Sequence, residues 1–113
     1  MTGQINPSQV LRLRPEFFDA VRQGKKCSTI RAGRRNFKAG PLILQSNFDT
    51  LAVQVTEVVY KKFGELTQDD AQTDGFATLE ELRATLKKFY PNLHENSIVT
   101  LIYFQLPTSN SEK

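Results

Sequence analysis

The sequence predicts an α+β domain: a largely antiparallel sheet or barrel, with two or three helices packed outside it or across one end. Three observations lead there. The 113 residues amount to one domain, so a single core is expected. Alternating or β-branched apolar segments recur along the chain. The elements run in the order β, α, β, β, β, helices, β, with short turns between successive strands. That order favours antiparallel neighbours over regular βαβ units, and no Gly-rich phosphate loop accompanies it.

Each element has a local reason. Residues 1–8 and 107–113 are polar, carry Pro, Ser and Asn, and are expected to be flexible ends of a domain spanning 9–106. Val10 to Arg14 alternates apolar and basic side chains, as a half-buried strand does, and Pro15 stops it. Proline suits the first position of a helix, and Glu16 and Asp19 fall in the first turn, where the helix dipole favours acids. Phe17, Phe18 and Val21 share one side of that short helix, which Gly24 ends. Cys27 to Arg31 reads as a second strand, Ala32 to Asn36 as a loop, and Lys38 to Pro41 as a turn into a strand at Leu42 to Gln45. Thr50 to Val59 is the clearest strand, rich in β-branched residues. Thr67 to Ala71 reads as a helical turn with an N-cap and early acids. Thr78-Leu79-Glu80-Glu81 has the spacing of a capping box and opens a helix over 79–90, with Leu79, Leu82, Leu86 and Phe89 on one face. Pro91 ends it. Ile98 to Leu106 is apolar almost throughout, so it is expected to be a central strand covered on both sides.

Charge is unevenly placed. Nine bases face two acids between Arg12 and Lys38, whereas the rest of the chain carries six bases against ten acids. A concentrated positive field attracts phosphates and other anions. No apolar run approaches the ~20 residues of a membrane-spanning helix. The first residues lack the basic flank and apolar stretch of a secretory signal, and the single Cys27 makes no internal disulfide, so a cytoplasmic protein is expected. One Cys and one His leave few soft metal ligands; no metal or cofactor is expected.

The segment Gly24-Lys25-Lys26-Cys27-Ser28-Thr29-Ile30-Arg31 carries the clearest chemistry. Alternation along a strand points Thr29 and Arg31 the same way and Ile30 the other. Lys26 precedes the strand, and its long stem reaches back over Thr29. A neutral Lys amine beside a Thr hydroxyl makes a base and nucleophile pair, and burial together with the charge of Arg31 pushes the amine toward neutrality. The plain alternative is a Lys-rich turn followed by a structural strand Thr.

The same segment resembles the ASCH domain family, barrels related to PUA-type RNA-binding domains. The family pattern G-x-K-x-x-T-x-R is met by Gly24, Lys26, Thr29 and Arg31. The resemblance continues through Phe37-Lys38-Ala39-Gly40, where Pro41 stands in place of the usual Asp, and through Val55 to Val58, Asp74-Gly75-Phe76, Thr78 to Leu82, Tyr90-Pro91 and Val99 to Phe104. It implies a PUA-like mixed β-barrel of about five or six strands with two or three packed helices. Within the family the chain looks most like the small bacterial N4-acetylcytidine amidohydrolases, which use a Lys base, a Thr nucleophile and a supporting Glu. The first two fall on Lys26 and Thr29. The third falls on Gly75 when counted back from Thr78-Leu79 without a gap, and on Asp74 with one inserted residue.

The resemblance therefore implies an amidohydrolase of acetylated cytidine or a related acylated nucleoside, with Lys26, Thr29 and Asp74 in the reaction and Arg31 or loop N–H groups at the oxyanion. The competing reading is an RNA-binding module, with or without ribonuclease activity, in which Lys26, Arg31, Arg34 and Arg35 line a basic cleft, with Lys25 as a further binding candidate. Phe37, Phe76 and Tyr103 are the candidate stacking aromatics in both. Either way the partner is a nucleoside or RNA, and the chain is expected to be a monomer. His94 and Cys27 are read as a surface loop residue and a packed strand thiol. Lys61-Lys62 and Lys87-Lys88 read as solvated faces.

Overall fold

A computed structural model describes residues 9–107, so the ends expected to be flexible, at 1–8 and beyond Pro107, lie outside the described residues. Five strands form one sheet: β1 (Gln9–Arg12), β2 (Ser28–Ala32), β3 (Gly40–Gln45), β4 (Thr50–Lys62) and β5 (Ile98–Gln105). Their order across it is β1-β3-β4-β5-β2. β1 and β3 run parallel and every other pair is antiparallel, so the sheet is mixed. It curls into a half-barrel, the form taken here by the expected five- or six-stranded mixed barrel. Between Val55 and Glu57 the β4–β5 register shifts, a bulge that bends the longest strand. The two edge strands are not paired with each other. One side chain spans the gap: the Arg31 guanidinium on β2 donates to the Arg12 carbonyl at the end of β1, at 2.6 Å.

Alternation along the strands splits the apolar residues between two clusters. Leu42 and Leu44 of β3, Val53 and Val55 of β4, and Ile102 and Phe104 of β5 form one cluster with Phe18 and Val21 of α1 (Phe18–Arg22). Val99 and Leu101 of β5 turn the other way, with Ile30 of β2, to meet Leu82 and Leu86. The last two belong to α3 (Leu79–Phe89), which lies beside α2 (Gln68–Thr73). β5 is an interior strand with neighbours on both sides and apolar clusters on both faces, as its composition requires.

Several boundaries differ from expectation, each for a local reason. The helix opened by Pro15 begins with a 3-10 turn at Pro15–Phe17, and only five residues of α1 are α-helical. β3 takes in Gly40 and Pro41, expected as a turn. Pro41 is tolerated because its carbonyl accepts from the Gln9 side chain, so its nitrogen faces the β1 side, where the ladder starts only at Leu42. β4 runs on to Lys62 and passes into an unexpected 3-10 turn, Phe63–Glu65, whose Phe63 is fully buried. The Thr78 hydroxyl accepts the Glu81 amide at 3.1 Å, as half of the expected capping box, and the Gln68 side chain accepts from another amide of the first turn, that of Leu79.

Three side-chain expectations are corrected. Phe89 is not part of the packed face of α3. It is 39% exposed and lies beneath the Arg14 guanidinium at 5.1 Å, because the last turn of α3 passes beyond the core to the rim of a cavity. Cys27 precedes β2 and is only partly buried, with its thiol donating to the Gly24 carbonyl at 3.3 Å. His94 is exposed. Lys61 is not merely solvated: its amine pairs with buried Asp70 at 2.7 Å. Among the described residues no helix is long and apolar enough to cross a membrane.

Candidate functional site

Two glycines and one backbone bond bring the site together. After α1 the chain turns at Gly24, whose φ of +76° is one glycine adopts readily, and the amides of Lys25 and Lys26 both donate to the Ala20 carbonyl. The Cys27 amide then donates to the Thr73 carbonyl at 2.7 Å, fastening the start of β2 to the end of α2. Gly75, at φ +96°, lets the chains approach closely: a Cβ there would stand 3.3 Å from the Lys26 Cβ. Asp74, the C-cap of α2, is thereby set against Lys26.

Lys26 and Asp74 are 4% and 5% exposed. The Lys26 amine donates to Asp74 Oδ1 at 2.8 Å and to the Asp74 carbonyl at 3.1 Å, and the buried Ser28 hydroxyl donates to the same Oδ1 at 3.3 Å. Loss of hydration pushes the lysine below its ordinary pKa, with Arg31 pushing the same way and Asp74 opposing. The same loss raises Asp74, against the pull of Lys26, Ser28 and Arg31. Both shifts move the pair from an ion pair toward a shared proton between neutral groups.

Thr29 lies opposite Ile102, Arg31 opposite Thr100, and Ile30 opposite Leu101 in the β2–β5 ladder, so Thr29 and Arg31 share a face as expected. Arg31 Nε donates to Thr29 Oγ1 at 3.2 Å. That bond occupies a lone pair of the hydroxyl and leaves its proton free to point elsewhere. No hydrogen bond joins Lys26 to Thr29; in this state the amine belongs to Asp74. Burial pushes the Arg31 pKa down, with the neighbouring Tyr90 opposing that shift.

These groups line one cavity of about 500 Å³. It brings together Lys26, Thr29, Arg31, Asp74 and Phe76. The other expected residues are elsewhere. Lys25 is exposed in the turn and outside the cavity lining. Arg34 stacks its guanidinium over the Tyr60 ring at 4.4 Å, and Arg35 donates to the Ala32 carbonyl. The loop after β2 leads away from the cavity, which separates both from it. Phe37 packs against the cluster that holds Phe18 and Val21, and Tyr103 against the one that holds Leu82 and Leu86. Sequence reasoning missed Arg12, Arg14, Phe17, Ser28 and Tyr90. Phe17 lies edge-on to Phe76 with ring centres 6.5 Å apart, and the Lys26 amine sits 5.1 Å from its ring centre. Arg12 and Arg14 share strand parity, opposite to that of core Leu11 and Leu13, and this was the available signal for them. Among the described residues no three His, Cys, Asp or Glu side chains gather to hold a metal ion.

Neither a protein-family model nor a curated protein matches the chain. Solved structures do. An ASCH domain from Lactobacillus crispatus superposes with a TM-score of 0.72 at 13% identity, over 86% of this chain and 79% of that one. A protein from Enterococcus faecalis V583 gives 0.75 at 13% identity, over 93% and 78%. A single-substitution variant of the Zymomonas mobilis ASCH protein gives 0.62 at 14% identity, over 85% and 67%. At such identities the likeness is one of fold.

Proposed function

We propose that this ASCH-type fold carries an amidohydrolase site that removes the acetyl group from N4-acetylcytidine or a related acylated nucleoside. The observation that carries the reading is the buried Lys26–Asp74 pair, joined at 2.8 Å in a cavity that also holds Thr29. A buried pair with both pKa values displaced toward neutrality is suited to moving protons near neutral pH. A cavity of about 500 Å³ is of the size that takes small molecules.

In this reading the lysine acts in its neutral form. Its amine leaves Asp74 and takes the Thr29 proton as Oγ1 attacks the acetyl carbonyl carbon. The electron pair of the carbonyl moves onto oxygen, and Arg31, already donating to Thr29, supplies an N–H to that oxyanion. Collapse breaks the amide C–N bond. The Lys26 ammonium gives its proton to the departing exocyclic amine, leaving an acetyl ester on Thr29. A water molecule, deprotonated by the same amine, then attacks the ester carbonyl carbon; the bond from Thr29 Oγ1 to the acyl carbon breaks, the Lys26 ammonium returns the proton to Oγ1, and acetate leaves. Asp74 holds Lys26 between steps and Ser28 holds Asp74. Phe76, with Phe17 against it, offers a ring to the base.

RNA binding as the main role draws less support. Of its expected basic residues, Lys26 and Arg31 line the cavity, but Lys26 is held by Asp74, and Lys25, Arg34 and Arg35 lie outside. The test is incubation of folded protein with N4-acetylcytidine. Acetate and cytidine are expected in equal amounts from the wild type, with most turnover lost in Thr29→Ala. A folded wild-type protein that releases no acetate ends the reading.

A further inference from the structure

The cavity has a charge that a neutral nucleoside does not need. Four cationic side chains line it, Arg12, Arg14, Lys26 and Arg31, against the single carboxylate of Asp74. Two of the four are already committed at its floor: Lys26 to Asp74, and Arg31 to Thr29 and to the Arg12 carbonyl. The other two differ. Arg12 and Arg14 are exposed, whereas Lys26, Thr29 and Asp74 are buried, so the arginines form the mouth of the same cavity.

Both arginines are held in place while retaining donors. Arg12 gives one Nη2 bond to the Asn47 side chain at 2.8 Å. Arg14 gives its Nε to Glu16 at 2.8 Å and rests on the Phe89 ring. Among the described residues, neither Nη of Arg14 and neither the Nε nor the Nη1 of Arg12 meets an acceptor. The Arg31 bond to the Arg12 carbonyl fixes the distance between mouth and floor, because one guanidinium reaches from Thr29 to the Arg12 backbone. An acylated cytidine seated with its acetyl group at Thr29 directs its sugar away from the floor, toward those unspent N–H groups. Planar guanidinium forks match phosphate oxygens in geometry and charge.

We infer that Arg12 and Arg14 form a phosphate subsite at the mouth of the cavity, and that a nucleoside 5′-monophosphate is the preferred substrate, with the free nucleoside still turned over but bound more weakly. This rests on the proposed acyl-transfer reading for the base at the floor, but not for the anion at the mouth.

Calorimetric titration of the whole chain with cytidine, with cytidine 5′-monophosphate and with a short cytidine-containing RNA tests it. The monophosphate is expected to bind at least about tenfold more tightly than cytidine, the increment of one charged hydrogen bond. That advantage should shrink as salt rises and fall several-fold in Arg12→Ala and in Arg14→Ala, with Arg14→Lys retaining part of it. Equal affinity for monophosphate and nucleoside in the wild type overturns the proposal, as does an advantage that survives in both alanine variants. Binding of the RNA where the monophosphate fails to bind also overturns it, in favour of a strand-binding surface. Monophosphate binding in a protein that releases no acetate from N4-acetylcytidine would sink the acyl-transfer reading and leave the phosphate subsite standing.

Discussion

Lys26 and Asp74 lose their hydration together on folding, and their mutual attraction offsets only part of that loss. The signs follow from proton counts. Lys26 is lowered, so the unfolded chain binds the extra proton, and its share of stability grows as pH rises from the lowered value toward lysine's ordinary one. Asp74 is raised, so the folded chain binds the extra proton, and stability falls as pH climbs from the ordinary aspartate value through the raised one. Near neutrality the pair therefore burdens the fold. Lys26→Met with Asp74→Leu is expected to leave stability unchanged or raise it by about 1–4 kcal/mol, whereas Asp74→Ala alone lowers it by about 3–5 kcal/mol by leaving the amine without its partner. Urea unfolding of the three proteins checks this. The carboxylate also holds the lysine pKa up. Asp74→Asn should thus move the acid limb of kcat/KM against pH to lower pH while reducing its height. Lys26, Thr29 and Arg31 were legible at this scale because strand parity and a fixed spacing constrain them. Asp74 was not separable from Gly75 by counting. The structure gives each a distinct task, the carboxylate on the amine and the close backbone approach beside it. Ser28 was invisible because its parity is opposite to that of Thr29, yet it reaches the pair from the helix side.

The elements that hold those residues were legible to the extent that their own residues decide them. Thr78, the leucine spacing and Pro91 determine α3, and its range was read to within one residue. Leu82→Ala is expected to lower stability by about 2–5 kcal/mol, since Leu82 is fully buried. Phe89→Ala, on the same nominal face, should cost about 1 kcal/mol or less, because its ring meets Arg14 and solvent rather than the core. Equal losses in thermal or urea unfolding would contradict that division of the helix. The 3-10 turn at Phe63–Glu65 was not legible. It is fixed by partners distant in sequence: the Phe63 amide donates to the Ser97 carbonyl, and Gly64 lies against Glu95. The extension of β4 to Lys62 has the same origin, in its pairing with the start of β5.

For the whole molecule, what sequence order cannot give is how the sheet curls. The parallel β1–β3 contact and the Arg31 tie between the edge strands bring the first strand back toward the second. That return encloses the cavity and carries Arg12 and Arg14 to its mouth. The basic first third of the sequence is accordingly divided. Arg12, Arg14, Lys26 and Arg31 converge, while Arg34 and Arg35 are spent on Tyr60 and on backbone. A cluster along the chain was legible; its separation into an inner and an outer set needed the fold. The central claim is that Lys26 acts as a proton-accepting amine and not as a fixed charge. Lys26→Arg keeps the charge and removes the base, because a guanidinium stays protonated. The deciding measurement is acetate release from N4-acetylcytidine by this variant, beside the wild type, with both shown to be folded. The account predicts turnover by the wild type and loss of nearly all of it in Lys26→Arg; near-normal turnover in the variant would contradict it.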